Sequence, residues 1–169
     1  MNQLERLNSL PPDLAEAEFL KCCGSQPWAH EMTSARPFAS VDQLCEKADA
    51  IWRSLGQQDW MEAFLAHPKI GEKKAVVAQS DQAQGWSEQE QAGVQGALAG
   101  TRAALAEGNR EYEQRFGFIY IVCATGKSSE ELLGILQARL KNDSETELRN
   151  AADEQRKITR LRLEKLLNP

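Results

Sequence analysis

Only two histidines occur in the 169 residues, and one of them, His67, stands in the segment His67-Pro68-Lys69-Ile70-Gly71-Glu72. Histidine is the side chain whose ordinary pKa lies near neutrality, so in a cleft it can take up or release a proton. Two further segments carry more polar detail than packing needs. Ser87-Glu88-Gln89-Glu90-Gln91 offers a carboxylate and an amide, and the apolar run ending Tyr120-Ile121-Val122-Cys123-Ala124 offers a wall of backbone N–H and C=O groups. A pocket for a small, planar, amide-rich molecule needs roughly that set. Each piece also has a plain structural explanation. His67 can interact with the last carbonyls of a helix. Ser87 and Glu90 have capping-box spacing. Gln91 can be a solvated helix residue, and residues 116–124 can be hydrophobic core.

The elements that must position these groups are helical. The proline after His67 disfavours α geometry at the histidine, so the helix before it should stop there. Pro11-Pro12-Asp13 opens a helix bearing Leu14, Ala17, Phe19 and Leu20 that stops at Gly24, and Trp28 and Met32 mark a short one. Ser40-Val41-Asp42-Gln43 is a capping-box start for a helix with one apolar face, Leu44, Ala48, Ile51, Trp52 and Leu55. Residues 68–86 read as a loop with one helical turn, and Ser87 as the start of a helix carrying Ala92, Val94, Ala97 and Leu98. Residues 101–116 keep the helical period despite Gly108. Residues 116–124 are continuously apolar but lack a partner strand, so a buried, partly extended segment is expected. Ser128-Ser129-Glu130-Glu131 caps the next helix, and a last one runs from about residue 144 to 167. The expectation is an all-α fold, one domain over residues 1–169 forming a single compact bundle of about seven to nine helices.

Composition narrows the function. With 41% hydrophobic and 27% charged residues and a net charge of −5, the chain reads as an ordinary globular protein without a nucleic-acid footprint. No apolar run approaches the roughly 20 residues of a membrane span. Met1-Asn2-Gln3-Leu4-Glu5-Arg6 lacks a secretory pattern, and Leu167-Asn168-Pro169 is not a peroxisomal address, so a cytoplasmic location is expected. Cys22, Cys23, Cys45 and Cys123 have no metal-knuckle spacing and read as reduced, buried side chains. No glycine-rich phosphate loop is present, so neither metal nor cofactor is expected.

The ordered set His67-Pro68-Lys69-Ile70-Gly71-Glu72, Ser87-x-x-Glu90-Gln91 leading to Gly93, Phe116-Gly117-Phe118 and Ile158-x-x-Leu161-Arg162-Leu163 closely resembles a known family. It is that of the 2-oxo-4-hydroxy-4-carboxy-5-ureidoimidazoline (OHCU) decarboxylases of purine catabolism. Arg36-Pro37-Phe38 is similar to the family's Arg-Pro-Phe. Two departures stand out. Ile119-Tyr120 replaces the frequent Pro-Phe, adding a hydroxyl near the pocket wall, and Lys69-Ile70-Gly71 resembles bacterial rather than animal members. The resemblance implies a cofactor-free carboxy-lyase, an all-helical homodimer, that converts the product of 5-hydroxyisourate hydrolysis to (S)-allantoin and CO2. Carried over by motif, His67 is the acid/base and Glu90 its carboxylate partner. Pro68, Ser87, Gln91 and the backbone of Tyr120, Ile121, Val122, Cys123 and Ala124 become substrate contacts, and Arg162 an anion ligand. The rival reading is a non-enzymatic helical domain that binds a small ligand or another protein. It explains the composition equally well but not the co-occurring motifs.

Overall fold

The computed structural model describes residues 1–169 and is all-α. Nine α-helices occur: α1 (Gln3–Ser9), α2 (Pro12–Cys22), α3 (Gln26–Ser34), α4 (Val41–Ser54), α5 (Gln57–Phe64), α6 (Asp81–Glu90), α7 (Ala99–Phe116), α8 (Ser129–Arg139) and α9 (Ser144–Leu167). A short 3-10 helix, Ala92–Val94, lies between α6 and α7. The expected helix content and number are both met, and the only extended pairing is an isolated antiparallel bridge between Pro68 and Ala75. No helix is long and apolar enough to cross a membrane.

The chain divides into two units, Met1–Ala63 with Arg156–Pro169, and Phe64–Gln155. The first is built on an aromatic cluster. Phe19 meets Trp28 and Phe38 edge-on at 6.0 and 6.4 Å, and the Trp28 indole N–H donates to the Ala48 carbonyl at 3.1 Å. Arg36 ties the α1–α2 connection by donating to the Leu7 and Leu10 carbonyls, both at 2.8 Å. Cys22, Cys23 and Cys45 are buried and unbridged, and burial pushes the Cys23 thiol up to about 12.

The second unit contains the three segments singled out for chemistry. Residues 118–124 are buried, as their apolar run suggests, and form neither helix nor strand. They begin just after Gly117, whose φ of +82° ends α7 in the left-handed region that glycine tolerates. Tyr112 packs against Phe116, Phe118 and Tyr120 with centroids 4.6–5.8 Å apart. Gly108 is compatible with α7 because α8 passes close by: a Cβ there would sit 2.5 Å from Leu136 Cδ2. A polar hub lies beside these rings. Arg139 Nε donates to Glu147 at 2.9 Å, its Nη1 donates to the Ile121 carbonyl at 2.6 Å, and the Tyr112 hydroxyl donates to the same Glu147.

Three local expectations need correction. A helix, α1, precedes Pro11, started by a reciprocal capping box between Asn2 and Glu5. Residues 92–98 form a 3-10 turn and a connection, not a continuous helix. The third concerns Ser87, which does not start a helix. Helix α6 begins earlier, where Ser80 Oγ accepts from the Ala83 N–H at 3.2 Å, and Ser87 and Glu90 fall in its last turn. The Ser87–Glu90 spacing mimicked a capping box, and Gly85 disguised the helix before it. The buried stripe Ala83, Trp86, Ser87 and Glu90, spaced by three and four, decided the outcome. The other two expected caps do form: Ser128–Glu131, closed in both directions, and Ser40, whose Oγ accepts from Gln43.

Glu147 is fully buried, and burial alone would raise its pKa. Hydrogen bonds from Tyr112, Asn142 and Asn150 and the Arg139 charge outweigh this and hold the carboxyl below its ordinary value of 4.5. The unfolded chain therefore binds this proton more readily than the folded one. Its contribution to stability should be complete above the unfolded value and vanish as pH falls through the lower folded value. Urea midpoints measured from pH 7 down to pH 3 should fall, and Glu147→Gln should flatten that dependence. Arg139→Met, which leaves the carboxylate buried without its cation, should cost about 3–5 kcal/mol at neutral pH.

Candidate active site

Helix α5 ends at Phe64, and the His67 N–H donates back to the Phe64 carbonyl at 3.1 Å, so the chain turns before Pro68 as expected. His67 is 9% exposed. The loop after it is fixed by side chains of α6 and α7. Lys69 pairs with Glu113 at 2.8 Å, the Ile70 carbonyl accepts from Asn109 Nδ2 at 3.0 Å, and the Gly71 N–H donates to Gln91 Oε1 at 2.8 Å. Gly71 has φ +93°, a conformation few other residues would adopt. The strand-like return is closed by the Pro68–Ala75 bridge and by the Val77 N–H donating to the Leu65 carbonyl at 3.1 Å.

Ser87, Glu90 and Gln91 occupy one end of α6 at spacings of three and four, so they share a face, and Gln91 reaches the His67 loop from it. Ser87 is buried, with its hydroxyl 3.1 Å from the Ala83 carbonyl oxygen and 3.2 Å from Gln79 Oε1. Glu90 is only 8% exposed and is the last residue of the helix. Being at the C-terminal end of α6, it has no free helix N–H groups beside it. A carboxylate here sits at the negative end of the helix dipole, which disfavours it by about 0.3–1 kcal/mol. Capping no longer accounts for Glu90.

The extended wall is more heavily engaged than its sequence suggests. The Ile121 carbonyl is held by Arg139, the Cys123 N–H by Glu154 Oε1 at 3.2 Å, and the Cys123 carbonyl by Lys127 Nζ at 2.8 Å. Val122 makes no hydrogen bond within the chain through either backbone group. The Tyr120 hydroxyl, expected near the pocket wall, instead donates to the Leu132 carbonyl of α8 at 3.0 Å. Its replacement of phenylalanine thus ties the wall to α8.

Pro68, Ser87 and Gln91 line a cavity of about 540 Å³ together with Gly71, Leu105 and Asn109, while His67 and Glu90 are not among its lining residues. Arg162 lies in the first unit, buried, and donates to the Lys21 carbonyl at 3.2 Å. No group of three or more His, Cys, Asp or Glu side chains is arranged to hold a metal ion. Three residues went unnoticed in the sequence: Asn109, Glu154 and Gln155. Gln155 is fully buried, and the His67 Nε2 nitrogen lies 2.6 Å from its Oε1. One signal was available for two of them. Asn109 interrupts the buried stripe of Leu105 and Tyr112, and Gln155 that of Ala151, Ala152 and Ile158. A polar side chain on an apolar stripe needs a buried partner.

The OHCU decarboxylase family model matches residues 8–164. The chain belongs to the OHCU decarboxylase family. It is 36% identical over 156 residues to the uric acid degradation bifunctional protein TTL of Arabidopsis thaliana, covering 92% of this chain and 48% of that protein, about half its length. The 2-oxo-4-hydroxy-4-carboxy-5-ureidoimidazoline decarboxylase of Amia calva is 32% identical over 138 residues, 79% of this chain and 76% of the relative. A crystal structure of OHCU decarboxylase in the presence of (S)-allantoin superposes with a TM-score of 0.77 at 35% identity, covering 90% of this chain and 99% of that one. Resemblance therefore extends to plant and animal proteins and is not confined to bacterial ones.

The position of Glu90 separates structure from chemistry. Glu90→Gln removes a charge from the unfavourable end of α6, so the urea midpoint should hold or rise slightly. If the carboxylate serves the reaction, turnover should nevertheless fall by about 10²-fold or more. Paired urea and initial-rate measurements decide, and unaltered turnover would remove Glu90 from the site.

Proposed function

We propose that this chain is a carboxy-lyase that converts 2-oxo-4-hydroxy-4-carboxy-5-ureidoimidazoline to (S)-allantoin and CO2 in urate degradation. The observation that carries the reading is a buried histidine, held in a fixed loop beside a helix end bearing Ser87, Glu90 and Gln91, in a chain of the OHCU decarboxylase family. A non-enzymatic helical domain would have no use for a buried carboxylate at the negative end of α6.

The chemistry proceeds within the substrate. Breaking the bond between C4 and the carboxylate releases CO2 and passes the electron pair into the adjacent C5=N double bond. This leaves an enol that becomes the C4 carbonyl when C5 is protonated and the hydroxyl proton is lost. The substrate is thus its own electron sink. The protein's tasks are to bind the ring, stabilise developing negative charge and deliver one proton to one face. His67 is the acid/base residue, removing the substrate hydroxyl proton or protonating the carbon, and Glu90 orients the imidazole or the substrate amides. Pro68, Ser87, the Gln91 amide nitrogen and the backbone of Tyr120, Ile121, Val122, Cys123 and Ala124 bind the ureido and ring groups. Within that wall the Val122 N–H and C=O, which bond to nothing else in the chain, are the best placed to pair with amides. Arg162 is the anion ligand that the resemblance suggests. Protonation on one face gives the (S) product. The reading extends to a single decarboxylase-type domain over residues 1–169, since the family match spans both units, and to a cytoplasmic homodimer of the bacterial type.

Absorbance decay of freshly generated substrate, followed together with the optical rotation of the product, tests the activity directly. His67→Ala should keep the wild-type circular dichroism spectrum and lose about 10²–10⁴-fold in turnover. A well-folded His67→Ala protein with wild-type turnover would refute the mechanism. Exhaustive dialysis against EDTA should leave the rate unchanged, because the electron sink lies in the substrate. A rate lost to EDTA and restored by one metal would overturn that step.

A further inference from the structure

We infer that Gln155 is a positioning residue for His67: its side-chain oxygen accepts the Nε2 proton, fixing the ring and confining proton exchange to Nδ1. The inference rests on the acid/base reading of His67 given above. Amide oxygens only accept, so the 2.6 Å contact from His67 Nε2 to Gln155 Oε1 requires the proton to be on Nε2. Gln155 is fully buried on α9, where water cannot replace the bond. A ring held this way cannot flip without breaking it, and in its neutral form the lone pair is on Nδ1. Nδ1 is then the atom that gains and loses the proton.

The neutrality of the acceptor matters. A carboxylate in place of the amide would favour imidazolium and keep the proton from being given up. An amide orients the ring in both protonation states without adding charge. The neighbouring residue, Glu154, accepts from the Cys123 N–H at 3.2 Å, so one step of α9 touches both the His67 ring and the extended wall. The ionisable groups on the surrounding elements are Glu90 of α6, Glu154 of α9, and Lys69 of the same loop, which pairs with Glu113 of α7. All of them remain in the variants below, so a change in titration reports on position 155.

Three measurements test the inference. With only two histidines, ¹⁵N spectra of the imidazole-labelled protein are assigned through His30→Gln, whose target is exposed. The neutral His67 ring should carry its proton on Nε2. Gln155→Leu should fold, and its kcat should drop about 10- to 100-fold with KM nearly unchanged. Gln155→Glu should move the acidic limb of the kcat profile upward by about 1–3 pH units. A neutral ring protonated on Nδ1 overturns the proposal. So does Gln155→Leu with wild-type kcat, Gln155→Leu that loses only stability, or Gln155→Glu with an unmoved limb. Should Gln155→Glu not fold, the wild-type spectrum and the Leu variant decide. His67→Ala serves as the control: if it turns over like wild type, the acid/base reading has failed, while the spectrum still reports on the hydrogen bond itself.

Discussion

The constraint on which the second unit depends is the burial of a charge pair. Arg139 and Glu147 lie in the interior between α8 and α9, with side chains 9% and 0% exposed. Desolvating two ions costs several kcal/mol each, and attraction offsets this only where the remaining donors and acceptors are also satisfied. Here they are. Glu147 takes hydrogen bonds from Arg139, Tyr112, Asn142 and Asn150. Arg139 also donates to the Ile121 carbonyl and the Tyr112 hydroxyl, and its guanidinium lies over the Tyr112 and Tyr120 rings at 5.7 and 5.0 Å. An extended segment has no ladder to satisfy its backbone. This pair supplies part of that satisfaction from side chains, so a segment without regular structure can stay buried in an all-helical unit.

The same helix carries the other anchors. Glu147 and Glu154 lie about two turns apart along α9 and so share a face, and Gln155 is the residue after Glu154. Glu147 acts through Arg139 on Ile121, Glu154 holds Cys123, and Gln155 meets His67. On the opposite flank, α7 and α6 supply Asn109 and Gln91 to the Ile70 carbonyl and the Gly71 N–H. Segments without regular structure are thus held at nearly every second residue by polar side chains from regular ones. Rigid helices supporting irregular functional backbone is a general arrangement for binding sites. Asn109 shows its cost: with Nδ2 committed to Ile70, its buried Oδ1 has no partner.

Local chemistry was legible wherever one physical signal acted alone. The helix break at His67-Pro68, the caps at Ser40 and Ser128, the C-terminal helix and the buried extended run all follow from sterics, capping or apolar content within a few residues. What could not be read locally was anything decided by a distant partner. Ser87-x-x-Glu90 has capping spacing, yet the buried stripe it completes with Ala83 and Trp86 outweighs the cap. The Tyr120 hydroxyl looked available to a ligand but bonds to Leu132, twelve residues on. Gln155 is 88 residues from His67, and no periodicity connects them. The resemblance to OHCU decarboxylases carried the functional motifs across those gaps, but it did not supply the residues that hold them.

The misread cap changes the meaning of Glu90 more than its location. As a capping residue its charge would be favoured by the dipole and would need no function. At the last position of α6 the same charge is opposed by the dipole and by burial together. Natural sequences keep such locally unfavourable groups chiefly where they work. His67 shows the complementary case, a titratable ring removed from solvent and held by a neutral acceptor. One is a carboxyl side chain placed at the negative end of its helix, and the other an imidazole facing a neutral acceptor. For an acid/base pair of the kind proposed above, which must exchange protons with a substrate and not merely with each other, that asymmetry is useful. A salt bridge between two well-matched partners would hold the proton in place.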